Sequence, residues 1–144
     1  MDLKLMGKSA IVTGSTAGIG LAIALRAARS AGELIVRSTD RLDAISVNEK
    51  EAKDYVTEID KAAEQCIINA LRKAYPNHGI LGEEHGSDRI DAEHVWVLDP
   101  IDGTRAFIAG KPIFGTLIAL TKNGAPILGV IAQPVNGERW IGAV

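Results

Sequence analysis

VWVLDPIDGTRAF (residues 95–107) runs four apolar residues straight into two aspartates, three positions apart, and a Gly-Thr pair. The apolar run reads as a buried strand, and packing gives no reason to end one on clustered negative charge. Carboxylates repel one another, and burying charge is costly unless it is paired or bound to metal. Something cationic is expected there.

Other carboxylates fall at comparable places. Asp60 stands near the start of a predicted helix, Glu83 and Glu84 follow the strand-like GILG (residues 79–82), and Asp99 and Asp102 follow VWVL. Element ends are where such groups can converge. Hard divalent cations such as Mg²⁺ take oxygen ligands, and the Ile101 carbonyl can add one. Two ions about 4 Å apart can activate a water and neutralise a leaving phosphate oxygen. Gly103 and Thr104 open a further predicted helix, whose free backbone N–H groups can hold phosphate. Acidic residues at loop starts are also commonly solvated or capping groups, so spacing alone leaves both readings open.

The chain has 144 residues, 47% hydrophobic content and a formal charge of −2, which is enough to bury the core of one ordinary domain. Sixteen basic residues against eighteen acidic, with no basic run, lack the electrostatic footprint of a nucleic-acid binder, so no nucleic-acid partner is expected. No apolar stretch approaches the roughly 20 residues that span a bilayer, and no export signal is read at the start, so no membrane partner is expected. The single cysteine, Cys66, cannot form an internal disulfide, and a reducing cytoplasm is the simplest compartment for it. It reads as a core residue. A homo-oligomer is compatible with this composition.

The pattern alternates between strand and helix periods. SAIVT (residues 9–13) reads as a buried strand, and residues 18–38 carry apolar side chains at helical spacing. Residues 39–55 are polar and weakly patterned. Thr57 then reads as an N-cap, with Asp60 three residues on and Ala62, Ala63, Ile67, Ala70 and Leu71 on one face, in a helix that stops by Pro76. GILG and HVWVLD read as strands, DGTRAFIAG as a short helix, and residues 114–134 as two strands around an Asn123-Gly124 turn. GERWIGAV begins one more strand, with an apolar run that leaves an unpartnered edge. His78, His85 and His94 share no ligand spacing and read as loop or surface residues, His85 least clearly because Glu84 precedes it. Trp96 reads as core. Arg105 is either a contact for an anionic substrate or a solvated arginine.

TGSTAGIG (residues 13–20) is a glycine-rich turn between a strand and a helix, a shape that lets backbone approach a pyrophosphate. Residues 5–24 resemble the opening of short-chain dehydrogenases, with Gly14, Gly18 and Gly20 on the family's glycine positions. No Tyr-x-x-x-Lys pair follows: Ile59 and Gly79 stand four residues after Tyr55 and Tyr75. The turn is read as structural, with no cofactor-binding residue assigned.

From about residue 25 to 144 the chain resembles the N-terminal part of the inositol monophosphatase family of Mg²⁺-dependent phosphatases. VTEIDKAAE, GEE and WVLDPIDGTRAF carry the resemblance, and DPIDGTRAFIAGKPIFGTLIAL with QPVNGERWIGA is most similar to the histidinol-phosphatase-like branch. The resemblance implies Glu83, Asp99, Asp102 and the Ile101 carbonyl as metal ligands, and Glu84 beside them. It implies Asp60 and Thr104 as the groups orienting the attacking water, with Glu83 in the catalytic set, and a small phosphate monoester as substrate. The family's later half, which supplies a further aspartate and most substrate contacts, has no counterpart here. The expected architecture is therefore α/β or α+β: the first part of the phosphatase's layered fold (residues 25–144), preceded by a Rossmann-like strand-turn-helix (residues 1–24), as in a chimera. A dehydrogenase fragment and a non-catalytic fragment with a partial metal site are the alternatives.

Overall fold

The computed structural model describes residues 17–45 and 49–144. Two long helices lead the described chain, α1 (Ala17–Ile45) and α2 (Glu49–Ala74). Then come β1 (Gly79–Gly82), β2 (Gly86–Asp88), β3 (His94–Asp102), the short α3 (Thr104–Ile108), β4 (Gly115–Lys122), β5 (Ala125–Gln133) and β6 (Glu138–Ala143). The strands form one six-stranded sheet in the order β2-β1-β3-β4-β5-β6. Only β1 and β3 run parallel; the other neighbours are antiparallel. The α/β expectation is met.

Helix α1 is held by a stripe of small and aliphatic residues, with Leu21, Ala24, Ala28, Ala31 and Ile35 buried at helical spacing. Helix α2 buries Val56, Ile59, Ala63, Ile67 and Leu71 on one face. Both pack on the same side of the sheet, against Trp96, Leu98, Ile118, Leu120, Leu128 and Val130, in one continuous core. Strand pairing puts Val97, Ala119, Leu117 and Ile131 on the opposite face, beside Trp140 of β6. There Ile131 and Trp140 are about half exposed, and β6 forms the sheet edge.

Several local expectations change. The polar, weakly patterned stretch 39–55 is helical in both its parts among the described residues: α1 continues to Ile45 and α2 already starts at Glu49. Thr57 is thus no N-cap, and Asp60 lies well inside α2 instead of opening it. Helix packing overrides the weak pattern, because both helices bury their other turns against the sheet. Ala62 is exposed and Ala70 half-buried; the buried stripe instead includes two carboxylates, Asp60 and Glu64. Cys66 is half-buried and unpaired, not a core residue. Strand SAIVT and the turn up to Thr16 lie outside the described residues. Gly18 and Gly20 belong to the first turns of α1, where Gly20 is buried near the Tyr75 hydroxyl, and α1 passes through residues 24–25 unbroken. The Asn123-Gly124 turn forms as expected, with φ of 50° and 79°, the paired positive angles that suit a two-residue hairpin.

Candidate functional site

Parallel β1 and β3 end side by side, so the residues after both strands emerge at the same end of the sheet. Glu83 and Glu84 follow β1, and Asp99 and Asp102 lie on the last residues of β3. Helix α2 crosses beneath and adds Asp60, which is 4% exposed. In a regular strand, residues three apart point to opposite faces. Here a register shift between Asp99 and Asp102 changes that: Asp99 pairs with Leu117 but Asp102 with Gly115, so three steps on β3 match two on β4. The bulge brings both aspartates to one face. It contains Pro100, which has no N–H to lose, and the buried Thr116 hydroxyl donates to the Pro100 carbonyl at 2.9 Å.

Beyond the bulge, Gly103 adopts φ 95°, in the left-handed region, and a Cβ there would crowd the Ile113 carbonyl at 3.1 Å. That turn starts α3. The Thr104 hydroxyl donates to the Ile101 carbonyl at 3.0 Å, leaving its oxygen as an acceptor. Arg105 is exposed.

The electrostatics show that the carboxylates share one neighbourhood. Burial, followed by the charges of Glu84, Glu83, Asp99 and Glu64, pushes the Asp60 carboxyl up to about 7. Burial, then the charge of Glu83 and a hydrogen bond with it, then Asp102, push Asp99 up to about 6, partly offset by a backbone hydrogen bond from Ile101. Asp60 Oδ1, Glu64 Oε1 and Asp99 Oδ1 are buried with no hydrogen-bond partner. Buried polar atoms are rarely left so unless an ion or water belongs there. Among the described residues no three His, Cys, Asp or Glu side chains already enclose a common metal position. Like charges with no cation between them are expected to stand apart. The donor set is all oxygen and carries unsatisfied lone pairs, which fits a hard divalent cation.

The structure brings Asp60, Glu83, Glu84, Asp99 and Asp102 into one electrostatic cluster, and places Ile101 near the end of β3, Gly103 in the turn after it and Thr104 at the start of α3. Sequence reasoning missed Glu64. Its Oε2 accepts the backbone N–H of Glu84 at 2.7 Å and of His85 at 3.1 Å, and lies 3.3 Å from His85 Nδ1. The only signal for it in the sequence was a second carboxylate four residues after Asp60 on the apolar face of α2. His78 and His94 stack at 4.9 Å away from this cluster, and Trp96 Nε1 donates to His78 Nδ1 at 3.1 Å. Burial and the neighbouring His94 lower the His78 pKa.

Comparison with known proteins gives the fold its relatives. Residues 20–144 match the model of the inositol monophosphatase family. A Pseudomonas aeruginosa protein named Nus factor SuhB is 58% identical over 123 residues, which are 83% of this chain and 45% of that protein. Among solved structures, the extragenic suppressor protein suhB from Bartonella henselae superposes with a TM-score of 0.75 at 34% identity, covering 87% of this chain and 48% of that one. An inositol monophosphatase from Zymomonas mobilis gives 0.73 at 40% identity, covering 90% and 49%. The chain thus spans about half the length of the relatives it matches. These matches do not support a short-chain-dehydrogenase opening: the family match already begins at residue 20, inside that stretch. They do not support the histidinol-phosphatase-like branch either: none of these three proteins carries that name. Over residues 20–144, the chain belongs to the inositol monophosphatase family.

Proposed function

We propose that this chain carries the metal-binding part of a Mg²⁺-dependent phosphate-monoester hydrolase acting on a small substrate. The observation supporting it most is the all-oxygen cluster in which Asp60 Oδ1 and Asp99 Oδ1 are buried atoms with no hydrogen-bond partner. Glu83, Asp99, Asp102 and the Ile101 carbonyl would hold the cation. When bound, the metal supplies an acidified water and charge neutralisation at the phosphate. Asp60, whose burial gives it a high proton affinity, takes a proton from the attacking water. The Thr104 hydroxyl donates its hydrogen bond to the Ile101 carbonyl, so its oxygen accepts from that same water and orients it. Gly103 and Thr104 offer backbone N–H groups to the phosphate.

A cytoplasmic location suits the unpaired Cys66, and no helix among the described residues is long and apolar enough to cross a membrane. The Pseudomonas relative is named a Nus factor and not by a reaction, so the comparisons lend no support to the expectation of no nucleic-acid partner.

Calorimetric titration with Mn²⁺ tests the reading: saturable heat is expected for the wild type and none for Asp99→Asn. Equal heats for the two would sink it. Phosphate release from inositol monophosphate and an aryl phosphate at millimolar Mg²⁺ is expected near background for this chain alone. It spans 45% of its Pseudomonas relative, and incomplete substrate positioning removes much of the advantage that effective concentration gives.

A further inference from the structure

We propose that Glu64 is a positioning residue for the metal site, gripping the turn after Glu83 and so fixing where the Glu83 carboxylate stands. The inference rests on the metal reading above. Glu64 is 0% exposed, on the face of α2 that otherwise buries Ile59, Ala63 and Ile67. Burying a carboxylate in such a stripe is unfavourable, and an apolar residue of similar volume often serves stability as well or better. Its presence calls for a use other than packing.

That use is visible in its contacts. One oxygen, Oε2, receives two successive backbone N–H groups, from Glu84 and His85, with His85 Nδ1 also near. Charge-assisted bonds of this kind are stronger and more directional than neutral ones. They immobilise the peptide units that follow Glu83. The other oxygen, Oε1, has no partner and abuts Gly82, the last residue of β1, where any Cβ would overlap it. The carboxyl group is therefore wedged between the residue before Glu83 and the two residues after it. Because Asp60 and Glu64 are one turn apart on the same helix, α2 both supplies Asp60 and sets its separation from Glu83. Residues that orient metal ligands from behind typically change metal affinity 10–100-fold when removed.

The experiment combines Mn²⁺ calorimetry with amide hydrogen exchange on the metal-free chain. Glu64→Ala should speed exchange at Glu84 and His85 by about tenfold or more and weaken Mn²⁺ binding by about tenfold or more. Glu64→Gln keeps an oxygen acceptor, so both amides should stay protected and affinity should remain within about threefold. A purely structural role predicts lower stability for Glu64→Ala with unchanged affinity in the folded fraction. Should Glu64→Ala not fold, Gly82→Ala displaces the same carboxylate while leaving it on α2, and it must show the same loss of affinity. Wild-type-like Mn²⁺ affinity in Glu64→Ala or Gly82→Ala, with binding intact in the parent, overturns the positioning role alone. Absence of binding in the parent overturns the metal reading, and this inference with it.

Discussion

Without metal, Asp60 holds its proton far above the pH at which an ordinary aspartate loses it, because burial and four neighbouring carboxylates oppose its charge. Asp99 behaves alike, to a smaller extent. Between about pH 4 and 7 the folded chain therefore binds more protons than the unfolded one, so stability falls as pH rises through that window. Urea unfolding of the metal-free chain should show its midpoint rising on acidification from pH 7 toward 4.5, and Asp60→Asn should flatten that dependence and raise stability near pH 7.5 by on the order of 1 kcal/mol. A cation competes with those protons, so Mn²⁺ affinity should increase from pH 5.5 to 7.5. An affinity independent of pH would show that neither aspartate approaches the ion. Asp99 and Asp102 were legible in the sequence because charge directly after an apolar run is conspicuous. Glu64 was not, because its meaning depends on two backbone amides twenty residues away.

At the level of elements, turn chemistry was legible and helix limits were not. The Asn123-Gly124 hairpin, β1 and the α3 turn carry local signals in glycine, asparagine and proline. The polar stretch 39–55 carries none, and its helical parts are held by the rest of α1 and α2; strand β2, only Gly86–Asp88, has no apolar alternation to announce it. Nor could a residue count reveal the bulge in β3, although the DPID spacing depends on it. That dependence can be measured. Thr116→Val removes the buried hydrogen bond to the Pro100 carbonyl and should cost about 1 kcal/mol in stability. If the bond holds the bulge, the same change should weaken Mn²⁺ binding severalfold, whereas Thr121→Val, on a hydroxyl bonded to the distant Val95 carbonyl, should leave it unchanged.

At the scale of the molecule, among the described residues, helices cover one face of the sheet, while Ile131 and Trp140 are about half exposed on the other and β6 stands at the edge. Exposed apolar edges favour added strands. Light scattering should therefore detect association at high protein concentration, reduced by Trp140→Lys; a monodisperse wild type would count against it. The mixed sheet also bears on the order of events in time. Strands β3 to β6 succeed one another as an antiparallel meander, apart from the short α3, whereas β1 meets β3 only in parallel, and Asp60 must join from a helix far upstream in sequence. Local pairings close before distant ones, because shorter loops lose less entropy. Repulsion between Asp60 and the strand-end carboxylates is then expected late in folding. Neutralising Asp60 should accordingly slow unfolding while leaving the refolding rate nearly unchanged, so a binding site that strains the finished molecule does little to hinder its making.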